Sequence, residues 1–198
     1  MLHGSARRRA AEGEDIDVKP DAAPQGALDT FPKLLEENAR RFRGRPASRV
    51  KEFGIWQSWT WDEVRDEVRA IAMGMMDLGL NPGDKIVIIG SNRPRLYWTM
   101  VAAQYCGAVA VPAYQDAVAE EMAYVLEHAG AVFAICEDQE QVDKVLSIKD
   151  RLPELRHVIY DDRRGLRKYD HSTLTWMDDV QARGREKADA LGPRIDAI

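Results

Sequence analysis

Residues 85–112, KIVIIGSNRPRLYWTMVAAQYCGAVAVP, decide the fold. After Lys85 come four β-branched residues, Ile86, Val87, Ile88 and Ile89, without polar alternation; a strand buried on both faces of a parallel sheet has this pattern. Gly90, Ser91, Asn92 and Arg93 then form a polar turn. Pro94 opens a run through Leu96, Tyr97, Trp98, Met100, Val101, Ala102, Ala103, Tyr105 and Cys106 that is apolar nearly all round, as a buried helix is. Gly107 ends it, and residues 108–112 read as the next strand. Strand, helix and strand in that order make the repeating unit of an α/β fold.

The rhythm continues downstream. A helix from Asp116 turns Met122, Val125, Leu126 and Ala129 inward and closes at Gly130. Residues 131–136 form another strand, 138–149 a helix with Val142, Val145 and Leu146 inward, and 155–160 a fourth parallel strand. Beyond Asp161 the charge is evenly mixed, and only a short helix near 176–181 stands out. Upstream, Thr30 is an N-cap, Pro32 lies in the first turn, and Leu34, Leu35, Asn38, Ala39 and Phe42 line one helix face. Residues 47–61 read as two extended runs joined at Phe53 and Gly54, a hairpin in which Trp59 and Trp61 share a face and Trp56 points the other way. Thr60 and Glu63 form a capping box for a helix bearing Val64, Val68, Ile71, Ala72, Met75 and Leu78. The fold class is therefore α/β: an open, mainly parallel sheet with helices on both faces, preceded by an N-terminal helix and a β-hairpin. Residues 1–28 are too poor in large apolar side chains to repay ordering and read as a disordered tail.

A chain of 198 residues buries roughly 70% of its unfolded surface, enough for one good-sized domain. A net charge of −5 without a basic stripe argues against nucleic acid as a partner. Cys106 and Cys136 lack a CxxC or metal-ligand spacing and read as reduced core thiols of a cytoplasmic protein. No window reaches the about 18 apolar residues of a membrane span.

Gly90 to Pro94 invites comparison with a phosphate loop, since first-turn amides and the helix dipole favour an anion. The segment lacks G-x-G-x-x-G and G-x-x-x-x-G-K-[ST], and Pro94 removes one amide, so a structural turn capped by Ser91 or Asn92 is the expectation. No nucleophile elbow or Cys-His set occurs. Glu120 with Glu121 and Asp178 with Asp179 are adjacent acids at helix starts, which face apart and answer the helix dipole. By residue chemistry alone, there are no catalytic and no metal-binding residues to name.

The order of five blocks carries more. TFPKLLEENA, WTWDEV, LGLNPGDKIVIIGSNRP, YCGAVAVPAYQDAVAEEMAYVLEHAGA and EDQEQVDKVLSIKDRLPELRHVIYDD together closely resemble the N-terminal part of AMP-forming acyl-CoA synthetases. The long-chain fatty acid branch of the adenylate-forming superfamily is the nearest match, over residues 29–182. The resemblance implies an N-terminal α/β subdomain at 29–182, an incomplete part of a larger adenylate-forming domain, and a linker at 183–198 leading to a catalytic portion outside the chain. It implies a fatty acid–CoA ligase that uses ATP and Mg2+ to form an acyl-adenylate and then passes the acyl group to CoA.

The family's phosphate loop ending in Pro-Lys-Gly, its Tyr-Gly-x-Thr-Glu and Thr-Gly-Asp segments and its C-terminal lysine do not occur here, so the chain alone is expected to be inactive. Tyr114, Gln115 and Asp116 match the loop near the channel for the pantetheine arm of CoA. Gln115 and Asp116 stand where many relatives carry Pro-Thr, so the position of the loop carries over rather than any single contact. Arg95 and Leu96 likewise replace a frequent Glu-Trp. Partners implied are fatty acid, ATP and CoA; peripheral membrane contact and a homodimer stay open. So does the alternative of a free-standing, non-catalytic binding or regulatory module with half of a synthetase fold. As part of a larger domain the chain should also expose apolar surface and sheet edge.

Overall fold

The computed structural model describes residues 27–197, so nearly all of the tail expected at 1–28 lies outside the described residues. The chain forms α1 (Phe31–Arg41), β1 (Pro46–Glu52), β2 (Ile55–Thr60), α2 (Trp61–Asp77), β3 (Lys85–Ile89), α3 (Pro94–Tyr105) and β4 (Val109–Ala113). It continues through α4 (Ala119–Ala129), β5 (Ala131–Cys136), α5 (Gln139–Ser147), β6 (His157–Tyr160), β7 (Leu174–Trp176), α6 (Met177–Glu186) and α7 (Ala188–Asp196). β1 and β2 pair antiparallel; the other five strands make one parallel sheet in the order β4-β3-β5-β6-β7.

The unbroken apolar run of β3 has two faces to satisfy. Ile86 and Ile88, with Phe133, Ile135 and Ile159 of the neighbouring strands, pack beneath α1, α2, α3 and α6. Val87 and Ile89, with Ala134, Cys136, Val158 and Tyr160, pack against α4 and α5. Period-two alternation thus divides one apolar strand between two cores, and helices cover both. Both cysteines are buried free thiols.

Local signals place most elements. Thr30 Oγ1 accepts from Lys33 N at 3.4 Å, and the Glu63 carboxylate takes the Thr60 amide at 2.8 Å. Gly130, at φ 60°, closes α4 in the left-handed conformation that glycine adopts without strain. Among the described residues no helix is long and apolar enough to cross a membrane. The expected exposed apolar surface lies along the β4 edge, where Val109, Tyr114, Val118 and Tyr124 are all at least half exposed.

Several expectations need correction. Neither Ser91 nor Asn92 caps α3: Arg93 is the N-cap residue, and both side chains are used elsewhere. α4 starts at Ala119 rather than Asp116, because a turn through Tyr114 and Ala117 intervenes and Glu121 reaches back to the Val118 amide. Leu34 sits at the rim of α1, 37% exposed. Trp61 begins α2 instead of extending β2, yet it and Trp59 both pack against the same core, Trp59 edge-on to Trp98 at 5.1 Å.

The parallel sheet has five strands, not four, and residues 183–196 complete α6 and form α7. β7 has only three residues and needs β6 to define it, with Val158 opposite Leu174 and Tyr160 opposite Trp176. α6 shows little apolar periodicity because its arginines answer acids on α2, Arg183 pairing with Asp77 at 3.0 Å and Arg185 with Glu67 at 2.6 Å. What seats it is a glycine crossing. A Cβ on Gly74 would lie 2.0 Å from Val180 O, and one on Gly184 would lie 1.9 Å from Ala70 O.

Candidate functional site

All five parallel strands end at one edge, and the order of the sheet singles out a position along it. The chain runs from β3 outward to β4 and then returns to β5 on the other side of β3. Between the carboxyl ends of β3 and β5 the connections diverge, leaving the crevice where open α/β sheets bind ligands. The loop after β3 is Gly90, Ser91, Asn92 and Arg93; the loop after β5 begins at Glu137.

An internal carboxylate occupies this crevice. Glu137 Oε2 accepts from the Ser91 hydroxyl at 2.7 Å and from the Ser91 amide, and Glu137 Oε1 accepts from Arg93 Nε at 3.0 Å. Burial opposes ionisation of Glu137, yet the Ser91 donors and the Arg93 guanidinium prevail and hold its pKa below the ordinary 4.5. Gly90 is present for closeness rather than for a special φ. A Cβ there would come 2.7 Å from the Glu137 Cβ and 2.5 Å from Leu96 Cδ1. Ser91 therefore gives to a side chain the donors that a phosphate-binding loop would offer to its ligand.

A second arginine ties the next strands to the same edge. Arg95 Nη1, in the first turn of α3, donates to Asp161 Oδ1 at 3.0 Å and to Asp178 Oδ1 at 2.5 Å. Burial pushes the Asp161 pKa up against the pull of Arg95, with Asp178 and Glu137 pushing the same way. Trp176 Nε1 donates to Asp161 O at 3.0 Å, and the Arg163 guanidinium lies over the Trp176 ring at 4.8 Å. Between this edge and the hairpin is a cleft of about 470 Å3 lined by Val50, Trp59, Arg93, Arg95, Arg163 and Trp176, among others.

The loop singled out in the sequence, Tyr114, Gln115 and Asp116, follows β4 on the same edge. Tyr114 is 73% exposed, and its phenol pKa is raised by the hydrogen bond and charge of Asp116. Gln115 O accepts from Lys144 Nζ of α5 at 2.8 Å. The three residues thus form a surface turn next to β3, held from the α5 side. The residues that sequence reading missed are Glu137, Arg93, Arg95 and Asp161. Their one local signal is an acid immediately after a buried strand, at Glu137 and at Asp161.

The residues present do not fit a bound Mg2+ ion. Glu137, Asp161 and Asp178 are each engaged by arginine, and among the described residues no three His, Cys, Asp or Glu side chains gather as a ligand set. Nor does the Ser91 loop fit the phosphates of ATP, its amide and hydroxyl being committed to Glu137.

Residues 35–191 match the family model described as AMP-binding enzyme. The long-chain-fatty-acid–CoA ligase ACSBG2 of Xenopus laevis is 28% identical over 153 residues, 77% of this chain and 20% of that protein. The long-chain-fatty-acid–CoA ligase FadD15 of Mycobacterium tuberculosis is 32% identical over 106 residues, 54% of this chain and 18% of that protein. The chain thus spans about a fifth of the length of these relatives. The anthranilate CoA ligase AuaEII, solved with anthranoyl-AMP, superposes with a TM-score of 0.66 at 18% identity, over 76% of this chain and 27% of that one. That likeness is one of fold.

Proposed function

We propose, because this chain belongs to the AMP-binding enzyme family over residues 35–191, that it is the N-terminal scaffold part of an ATP-dependent long-chain fatty acid–CoA ligase. In that reaction a fatty carboxylate attacks the α-phosphorus of ATP and displaces pyrophosphate. The CoA thiol then attacks the acyl carbonyl and releases AMP. Tyr114, Gln115 and Asp116 are the residues we assign to the wall of the CoA entrance, an assignment supported by their place on the carboxyl edge beside β3.

The chain by itself does neither step. The observation that carries this is the switch-point crevice filled by Glu137: the amide and hydroxyl of Ser91 that could hold a phosphate are already spent. No lysine or glycine-rich loop of the phosphate-binding kind stands elsewhere in the sequence to stabilise charge on a transferring phosphoryl group. The test is fatty-acid-dependent ATP–pyrophosphate exchange by the purified chain. No exchange above a no-enzyme control is expected, and exchange above it refutes the inactive-scaffold reading. Sequencing the gene past Ile198 tests the ligase assignment separately: an in-frame Ser/Thr/Gly-rich loop ending in Pro-Lys-Gly is expected, and a stop codon there overturns it.

A further inference from the structure

We propose that Lys144 of α5 is a positioning residue for the CoA entrance: its ammonium grips the main chain of the loop at Tyr114, Gln115 and Asp116 and fixes the course of that wall. The proposal rests on the reading of the chain as part of a fatty acid–CoA ligase.

The loop has little else to hold it. It leaves β4, an edge strand of the parallel sheet, and runs toward α4 through one turn, in which Ala117 N donates to Tyr114 O at 3.2 Å. The Tyr114 phenol donates to Asp116, a bond within the loop itself. Gln115 leaves φ free where a proline would fix it. Among the described residues, one hydrogen bond joins these three residues to a neighbouring element: Lys144 Nζ donates to Gln115 O at 2.8 Å. The acceptor is a backbone carbonyl, so the bond sets the path of the chain whatever side chains stand at 115 and 116.

The donor is held in turn. Lys144 stands on α5 between Val142 and Val145, both 0% exposed and packed in the core on that side of the sheet. Asp138, next to Glu137 of the crevice, caps α5 by accepting from the Gln141 amide at 3.2 Å, so the helix that grips the loop is itself fixed at its start. The Lys144 side chain is only 19% exposed, and its ammonium also pairs with Glu140, one turn earlier, at 2.8 Å. A bond from an ionised donor is roughly twice as strong as one between neutral groups. Lys144 thus spends two of its three N–H donors inside the protein, on Gln115 O and on Glu140, which suits holding the loop better than meeting the phosphates of CoA.

Chymotrypsin, which cuts after aromatic residues, reads the loop in the purified chain. Lys144→Met should be cut after Tyr114 about tenfold faster than the parent, as loss of one charge-assisted hydrogen bond allows. Cutting after Phe53, which is 92% exposed, should stay unchanged, and Lys144→Arg should keep the slow cutting of the parent. In the longer protein encoded past Ile198, Lys144→Met should raise the KM for CoA by the same factor while leaving kcat and the KM for ATP unchanged. The KM for pantetheine, which lacks the nucleotide phosphates, should rise equally. Parent-like cutting of Lys144→Met after Tyr114, equal acceleration after Tyr114 and Phe53, or an unchanged KM for CoA overturns the proposal. A rise in KM for CoA but not for pantetheine overturns it in favour of a direct phosphate contact. A stop codon after Ile198 removes the ligase reading and this proposal with it, whatever the rates of cutting.

Discussion

Gly184→Ala should destabilise the protein even though alanine is the better helix former. The added Cβ would lie 1.9 Å from Ala70 O and 2.8 Å from Gly74 N. Both are backbone atoms of α2, so no side chain can swing aside. Bringing the closer contact out to 3.0 Å, the lower limit for a Cβ, takes a shift of 3.0 minus 1.9, or 1.1 Å, between the helices. That shift would loosen Met177 and Val180 of α6, both 0% exposed. Overpacking of this kind costs about 1–3 kcal/mol, and a backbone-to-backbone clash belongs at or beyond the upper end. The gain in helix propensity offsets about 1 kcal/mol. The net loss is about 2 kcal/mol, which for a chain of this size lowers Tm by about 4–8 °C. Thermal unfolding followed by circular dichroism at 222 nm, a standard helix signal, is the assay. Gly192→Ala in α7, where a Cβ meets nothing within 4 Å, is the reference and should change stability by no more than about 1 kcal/mol in either direction. An unchanged or higher Tm for Gly184→Ala would refute the glycine crossing and with it the docking of α6.

Glu137→Gln should cost about 1–3 kcal/mol at neutral pH by removing the charge that Ser91 and Arg93 address. Because the folded pKa of Glu137 lies below its unfolded value, its stabilisation is present above about pH 4.5 and is lost as pH falls through the folded value. Urea midpoints of the two proteins should therefore converge in acid, and a constant gap would count against the carboxylate's role. Cys106 and Cys136 should be silent to a thiol reagent at neutral pH in the native state and should both react in denaturant. Burial pushes Cys106 up to about 12 and Cys136 higher still. A rapid native-state reaction at either would contradict their placement in the core. Trp59→Ala should lower stability by about 3 kcal/mol through loss of its edge-on contact with Trp98 and the surface buried there; a urea midpoint within error of the parent would argue that the hairpin is not docked on α3.

The candidate site depends on pairs that lie far apart in the chain. Ser91 and Glu137 are separated by 46 residues, Arg95 and Asp161 by 66, and Arg95 and Asp178 by 83. Each reads locally as a turn residue, a helix-start residue or a surface acid. Only the return of β5 to the far side of β3 makes Glu137 the occupant of the crevice. The same return explains Gly90, whose missing Cβ admits Glu137 and Leu96 rather than a phosphate.

The sequence by itself determined what is settled within a few residues. The β-branched run of β3 had to be a strand, Pro94 had to open a helix, Thr60 with Glu63 had to start another, and Gly130 had to end α4. These follow from φ restrictions, capping donors and periodicity, which act along the chain. Five blocks in order were also enough to point to the family. Tertiary structure alone decided where three-residue β7 pairs, how α6 docks with arginines against acids and glycine against glycine, and what fills the crevice at Ser91. Those outcomes turn on partners brought together by the winding of the sheet, and a strand or helix with weak periodicity carries no local record of the partner that stabilises it.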